Sequence, residues 1–192
     1  AMGAVSAFYM YMTGIPIALM SQRMTASVNG FLILAIPFFY LAGELMNLCR
    51  LTDKIIAMSR ALVGHFHGGL AQVNIFASMI FAGMSGSATA DTAALGSVLI
   101  PGMKKEGYPP EFAAAVTVAS AMVGPIIPPS IGMIVYGALA DVSIGRLLLA
   151  GIVPGVTIII VEMVFTYFLA KKHGYPRYAR AKLPEIAKAT WH

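Results

Sequence analysis

The chain has 192 residues, 58% of them hydrophobic and 11% charged, with a mean hydropathy of +0.79. A soluble domain carries roughly 25% charged residues, so this chain has too few charges to cover a water-facing surface and reads as an integral membrane protein. The net charge of +5 does not point to nucleic acid, because the basic residues cluster at the ends of apolar segments, where membrane proteins keep cytoplasmic anchors.

Residues 1–22 form a first apolar stretch, with Pro16 near its far end predicting a kink or a stop. The chain opens without a basic leader and reads as starting partway through a segment. A polar connection, SQRMTASVN, covers residues 21–29. Residues 30–49 are long enough to cross ~30 Å of hydrocarbon, with a kink expected at Pro37. Glu44 lies near the end of this span, where it either caps the helix structurally or lines a substrate path. Cys49 is the only cysteine, which excludes an internal disulfide and a thiolate metal site and leaves a small apolar packing residue.

Residues 50–63 are amphipathic. Leu51, Ile55, Met58 and Leu62 recur at helical spacing among Arg50, Asp53, Lys54 and Arg60, which predicts a helix lying in the interface. GHFHGG, 64–69, is a turn whose His65 and His67 lack a third ligand nearby and read as interfacial histidines. Residues 70–103 run apolar, break at GMSGSATAD (83–91), and run apolar again. Each arm of ~16 residues spans only ~25 Å at 1.5 Å per residue. That favours a re-entrant hairpin over two full spans joined by an exposed turn. KKEGYPPE (104–111) is a loop that ends in a helix start at Pro109 and Pro110.

Residues 111–140 form a discontinuous helix: one half over 111–124, a break at GPIIPPS (124–130), and a second half with Ser130 as its N-cap. DVSIGR (141–146) is a loop, and 147–170 are a clean span softened by Pro154. A basic amphipathic segment closes the chain. If the hairpin enters and leaves on one side, then 50–67, 104–110 and 171–192 share that side. They hold eleven Lys and Arg, against Arg23 and Arg146 opposite, which makes the first side cytoplasmic.

Irregular backbone at membrane depth survives only where protein or water covers it. A broken helix offers carbonyls at one end and N–H groups at the other, and Ser and Thr add uncharged oxygens. The two breaks therefore suit a small hard cation. Asp91 lies one helical turn past the hairpin tip and either caps the second arm or helps bind the cation. Ser87, Thr89, Asp91 and Ser130 are candidates for lining a substrate path. No nucleophile–base pair or metal cluster lies at depth, which argues against an enzyme and leaves catalytic residues and cofactors unassigned. A membrane scaffold without transport, and a single-polypeptide divalent-anion or ion/proton antiporter, are the competing readings.

SGSATAD, PGMKKEGY and GPIIPPS, with the stretches from AIPFFYLAGELMN to LLLAGIVPG around them, resemble the large membrane (DctM-type) subunit of tripartite ATP-independent periplasmic transporters over roughly residues 15–180. The resemblance implies an all-α membrane fold: one repeat of an inverted-repeat elevator transporter. Residues 1–63 would be scaffold helices and an interfacial helix, and 64–140 a transport region with a hairpin over 68–103 and the broken helix over 111–140. Residues 141–170 would form a further span, and 171–192 a cytoplasmic connector. It implies sodium-driven import of organic acids, such as C4-dicarboxylates or sialic-acid-like carboxylates, across the bacterial inner membrane. The implied partners are a periplasmic binding protein, a small membrane subunit and membrane lipid, with no nucleic acid. Carried over, the sodium site falls on Ser85, Ser87 and Ala88 at the tip, with carbonyls from Gly124, Ile127 and Pro129. Members of the family can place a serine at the position of Ala88, where this chain offers only a carbonyl. The family subunit is more than twice as long, so the chain reads as an N-terminal portion without the second repeat.

Overall fold

The computed structural model describes residues 2–16 and 51–179, with isolated helical positions at 18, 19, 21, 22, 25, 37, 38, 41 and 45. The described residues form helices and connections and no strand. They are α1 (Met2–Met12), α2 (Leu51–Val63), α3 (Gly69–Ser85), α4 (Ala88–Lys105), α5 (Pro110–Ala121), α6 (Ile131–Leu139) and α7 (Ile144–His173). Glu44, Cys49, Arg50 and the segment beyond residue 179 lie outside the described residues.

The first 38 residues form their own unit. There α1 stops at Met12, four residues before Pro16, because Gly14 turns left-handed at φ 68° and Ile15 N–H returns to the Met10 carbonyl at 2.9 Å. Glycine takes that conformation at little cost, so it ends the helix before the proline can. Ser21, Gln22 and Thr25 are helical rather than part of a polar connection. The Ser21 and Thr25 hydroxyls donate back to the Ala18 and Ser21 carbonyls at 2.9 and 2.8 Å, which lets polar residues stay in a helix.

In the second unit α3 is the central element and packs against α2, α4, α5 and α7. Leu70, Ala71, Val73, Ile75, Ala77, Phe81 and Ala82 are all buried, so α3 is apolar around most of its circumference. α3 and α4 form a helical hairpin: Asn74 near the foot of α3 meets Met103 near the end of α4, and Leu70 packs beside Gly102. The tip consists of Gly86 and Ser87 alone, much shorter than the nine-residue interruption read from composition. Ser85 still ends α3, and Ala88 already begins α4. α5 ends at Ala121 rather than Gly124, and α6 begins after Ser130 as expected. α7 has 30 residues and is the one described helix long and apolar enough to cross a membrane. It exceeds the expected 147–170 at both ends, capped by the Ser143 hydroxyl and by left-handed Gly174.

The buried row on α2 is Ile55, Ser59 and Val63, whereas Leu62 is 38% exposed. The helix is turned from the Leu51–Ile55–Met58–Leu62 stripe because its inner face packs on α3. At the foot of the hairpin, residues after α7 form a strap. Pro176 accepts from Gly69 N–H at 3.0 Å, and Tyr178 N–H donates to Gly64 at 3.1 Å. Tyr175 packs on Tyr108 and Phe112, with ring centroids 4.6 and 5.2 Å away. The Arg60 guanidinium lies 4.7 Å over the Tyr178 ring, and the Tyr178 hydroxyl donates to the Glu106 carboxylate. Burial, reinforced by the Glu106 charge, holds the Tyr108 hydroxyl above the ordinary tyrosine range. These contacts gather parts of three basic segments at one end, the end opposite the hairpin tip.

Candidate functional site

The hairpin tip is built by two caps. Gly86 takes φ 60°, and its N–H closes α3 on the Ala82 carbonyl. Ser87 is extended, and its hydroxyl accepts from Ala90 N–H as the N-cap of α4. Asp91 is therefore not the cap. Its side chain is fully buried and accepts a hydrogen bond from the Ser85 hydroxyl across the tip. Ser87 N–H donates to the same Ser85 oxygen at 3.2 Å. The second carboxylate oxygen of Asp91 has no hydrogen-bond partner.

The second break approaches this point through backbone. After α5, Gly124 N–H bonds Ala121 at 3.0 Å, while Ile126 and Ile127 both donate to Val123 at 2.9 Å. The chain thus winds tightly before Pro128 and Pro129, whose shared peptide bond is cis. Ser130 closes the break from both sides: its hydroxyl donates to the Pro125 carbonyl at 2.6 Å and accepts from Met133 N–H at 3.1 Å. Two glycines let the breaks touch. A Cβ at Gly124 would lie 2.8 Å from the free Asp91 oxygen and 3.1 Å from Ala88 N. A Cβ at Gly86 would lie 2.3 Å from the Pro129 carbonyl oxygen.

The structure thus brings Ser85, Ala88, Asp91 and Gly124 together and sets Pro129 against the tip. Ser87 and Thr89 pair their hydroxyls at 3.0 Å at the tip, with Thr89 exposed. Ile127 directs its side chain away, onto Gly155 of α7. Ser130 is buried as a cap.

Sequence reading missed a polar seam leading to this cluster. Asn74 donates to Thr117 at 2.6 Å, and Ser78 pairs with Ser120 at 2.9 Å, all four side chains being buried between α3 and α5. Its signal was spacing. Positions 74, 78 and 85 fall on one face of α3, and 117, 120 and 124 on one face of α5 and its extension. Glu162 was missed as well, although a carboxylate inside an apolar 30-residue helix is rare enough to notice.

The site is thus a pair of polar, glycine-cornered breaks that meet among apolar helices. The family described as the DctM component of the tripartite ATP-independent periplasmic transporter matches residues 1–192, and the chain belongs to it. It is 44% identical over 177 residues to the sialic acid TRAP transporter large permease protein SiaM of Vibrio cholerae, covering 92% of this chain and 41% of that protein. It is 40% identical over 190 residues to the 2,3-diketo-L-gulonate TRAP transporter large permease protein YiaN of Escherichia coli, covering 99% and 43%. It is 41% identical over 165 residues to the C4-dicarboxylate TRAP transporter large permease protein DctM of Pseudomonas aeruginosa, covering 84% and 39%. The chain spans about two-fifths of the length of these relatives.

Proposed function

We propose that these residues form the first ion-binding repeat of the large permease subunit of a sodium-coupled importer. The cargo would be an organic acid, with C4-dicarboxylates and sialic-acid-like carboxylates the leading classes. In this reading the subunit sits in the bacterial inner membrane, receives substrate from a periplasmic binding protein, and works with a small membrane subunit. The hairpin is re-entrant and rides with the broken helix in an elevator motion, its strapped foot on the cytoplasmic side.

The observation that carries the reading is the unpartnered Asp91 oxygen, buried where the two breaks meet beside Gly124. A lone buried carboxylate is costly, and a monovalent cation beside it removes most of that cost. The surrounding groups are hydroxyls and backbone carbonyls, which are hard oxygen donors suited to sodium. Ser85, the tip at Ser87 and Ala88, and the carbonyls of Gly124, Ile127 and Pro129 would hold the ion, and Asp91 would balance its charge. Because Ser87 caps α4, Asp91 is released for that role.

The test is sodium-dependent uptake by the full-length subunit reconstituted with its partners. Asp91→Asn keeps an acceptor for Ser85 but removes the charge. The sodium concentration for half-maximal uptake is expected to rise at least about tenfold, the effect of losing ~1.4 kcal/mol of binding. Ser85→Ala is expected to shift it in the same direction. Unchanged sodium dependence in folded variants would remove the assignment.

A further inference from the structure

One carboxylate on α7 has no part in the site above. Glu162 is half-buried, and neither of its shielded oxygens has a hydrogen-bond partner. It faces an open groove of about 380 Å³ where α5 passes α7, lined by Ala119, Thr157, Ile158, Val161, Glu162 and Phe165. Thr157 already donates its hydroxyl to the Val153 carbonyl at 2.7 Å, and the other lining side chains are apolar. A carboxyl group in an apolar wall without a donor is unfavourable whether charged or neutral.

We infer that this groove seats a transmembrane helix from the part of the full-length subunit outside these 192 residues, and that this helix presents a lysine or arginine to Glu162. Charge complementarity is the first argument. Ionised, Glu162 needs a cation at membrane depth, and a paired intramembrane charge is the common solution. Shape is the second. Ala115 and Ala119 are exposed one turn apart on α5, beside Val118 and Met122, which are 51% and 59% exposed. Small residues on such a face admit a close helix, and Val161 and Phe165 across the groove supply apolar contact. Length is the third: the relatives are more than twice as long, so the same polypeptide has further chain to fill the groove. The inference rests on family membership and membrane placement and is independent of the sodium assignment.

The experiment places a photoreactive benzoylphenylalanine at Phe165 of the full-length subunit in native membranes and maps the adducts by mass spectrometry. The expected product is an intramolecular adduct to a membrane segment that contains Lys or Arg and lies outside these 192 residues, and an adduct only within them would overturn the inference. Glu162→Lys is then expected to cut the yield of folded subunit severalfold, and exchanging the mapped cation for Glu in the same molecule should restore it. Adducts only to lipid or to another subunit would overturn the inference. So would a double charge exchange that does no better than Glu162→Lys alone. The cross-link is read in otherwise unaltered protein, so poor folding of the charge variant leaves it decisive. Sodium dependence of uptake reports separately on the cation site.

Discussion

The two helix breaks solve the same problem with opposite materials. The first is two residues long and is closed by its own caps, Gly86 on one side and Ser87 on the other. What it contributes is side chains: the Ser85 hydroxyl and the Asp91 carboxylate. The second break runs from Met122 to Ser130, contains three prolines, and is closed at one residue, Ser130. Toward the first break it contributes backbone, the Pro129 carbonyl and the bare Cα of Gly124. A break that works through side chains is damaged by deleting atoms. One that works through close backbone approach is damaged by adding them.

The largest expected effects therefore come from the smallest additions. At Gly86 a methyl group would meet the Pro129 carbonyl at 2.3 Å while φ stays at 60°. Left-handed backbone alone costs a non-glycine residue ~1–2 kcal/mol, and neither partner of the clash is a flexible side chain. Gly86→Ala is expected to lower the recovery of folded full-length subunit severely, measured by detergent-phase size exclusion. Gly124→Ala adds its methyl 2.8 Å from Asp91 and 3.1 Å from Ala88 N, without a φ penalty. Overpacking of this kind costs ~1–3 kcal/mol, or about 5-fold to 150-fold in sodium affinity if it falls on the bound state. The subunit should fold and need more sodium. A Gly124→Ala protein with ordinary sodium dependence would separate the two breaks functionally.

How much of this was legible before the structure depends on which break one asks about. The proline-rich break was readable because proline removes N–H donors wherever it stands, and Ser130 occupies the N-cap that its position ahead of IGMIVYGAL suggests. The extent of the hairpin tip was not readable. Ser, Thr and Ala are compatible with helix or turn, and Thr92 uses its hydroxyl on the Ala88 carbonyl at 2.8 Å to stay helical. Asp91 was ambiguous because capping and ion binding ask for the same residue near a helix start. The Ser87 hydroxyl, which accepts from Ala90 N–H, takes the capping role away from Asp91 and leaves ion binding as the proposal. Asn74, Ser78, Thr117 and Ser120 are individually unremarked polar residues in apolar helices, and their meaning is their pairing, which needs the α3–α5 register.

That seam gives an intermediate effect. Ser78 and Ser120 share a bond of 2.9 Å, and Ser120 also donates to the Thr117 carbonyl at 3.2 Å. Either single alanine substitution is expected to lower stability by ~0.5–1.5 kcal/mol. The coupling between them should be near the ~0.6 kcal/mol average for membrane pairs, so the double variant should lose less than the sum of the two single losses. Thermal melting of the four proteins in detergent measures it. Strict additivity would mean that the seam does not tie the hairpin to the broken helix.

The smallest effect lies farthest from the breaks, at the foot of the hairpin, and it has a defined sign. Burial and the hydrogen bond to Glu106 lift the Tyr178 hydroxyl from 10.0 to about 12, with Arg60 opposing the rise. Between those values an unfolded chain has lost the tyrosine proton while the folded strap still holds it. Stability from this group is thus fully present below pH 10 and falls as pH rises toward 12. Melting temperature should decline more steeply across that window in the native subunit than in Tyr178→Phe, which keeps the ring under Arg60 but has no proton to lose. Parallel curves would mean that the Tyr178 hydroxyl adds nothing and that the strap is held by its rings and the backbone bonds to Gly64 and Gly69. The foot of the hairpin would then be held by ring packing and backbone, much as the two breaks meet through the Pro129 carbonyl and the bare Cα of Gly124.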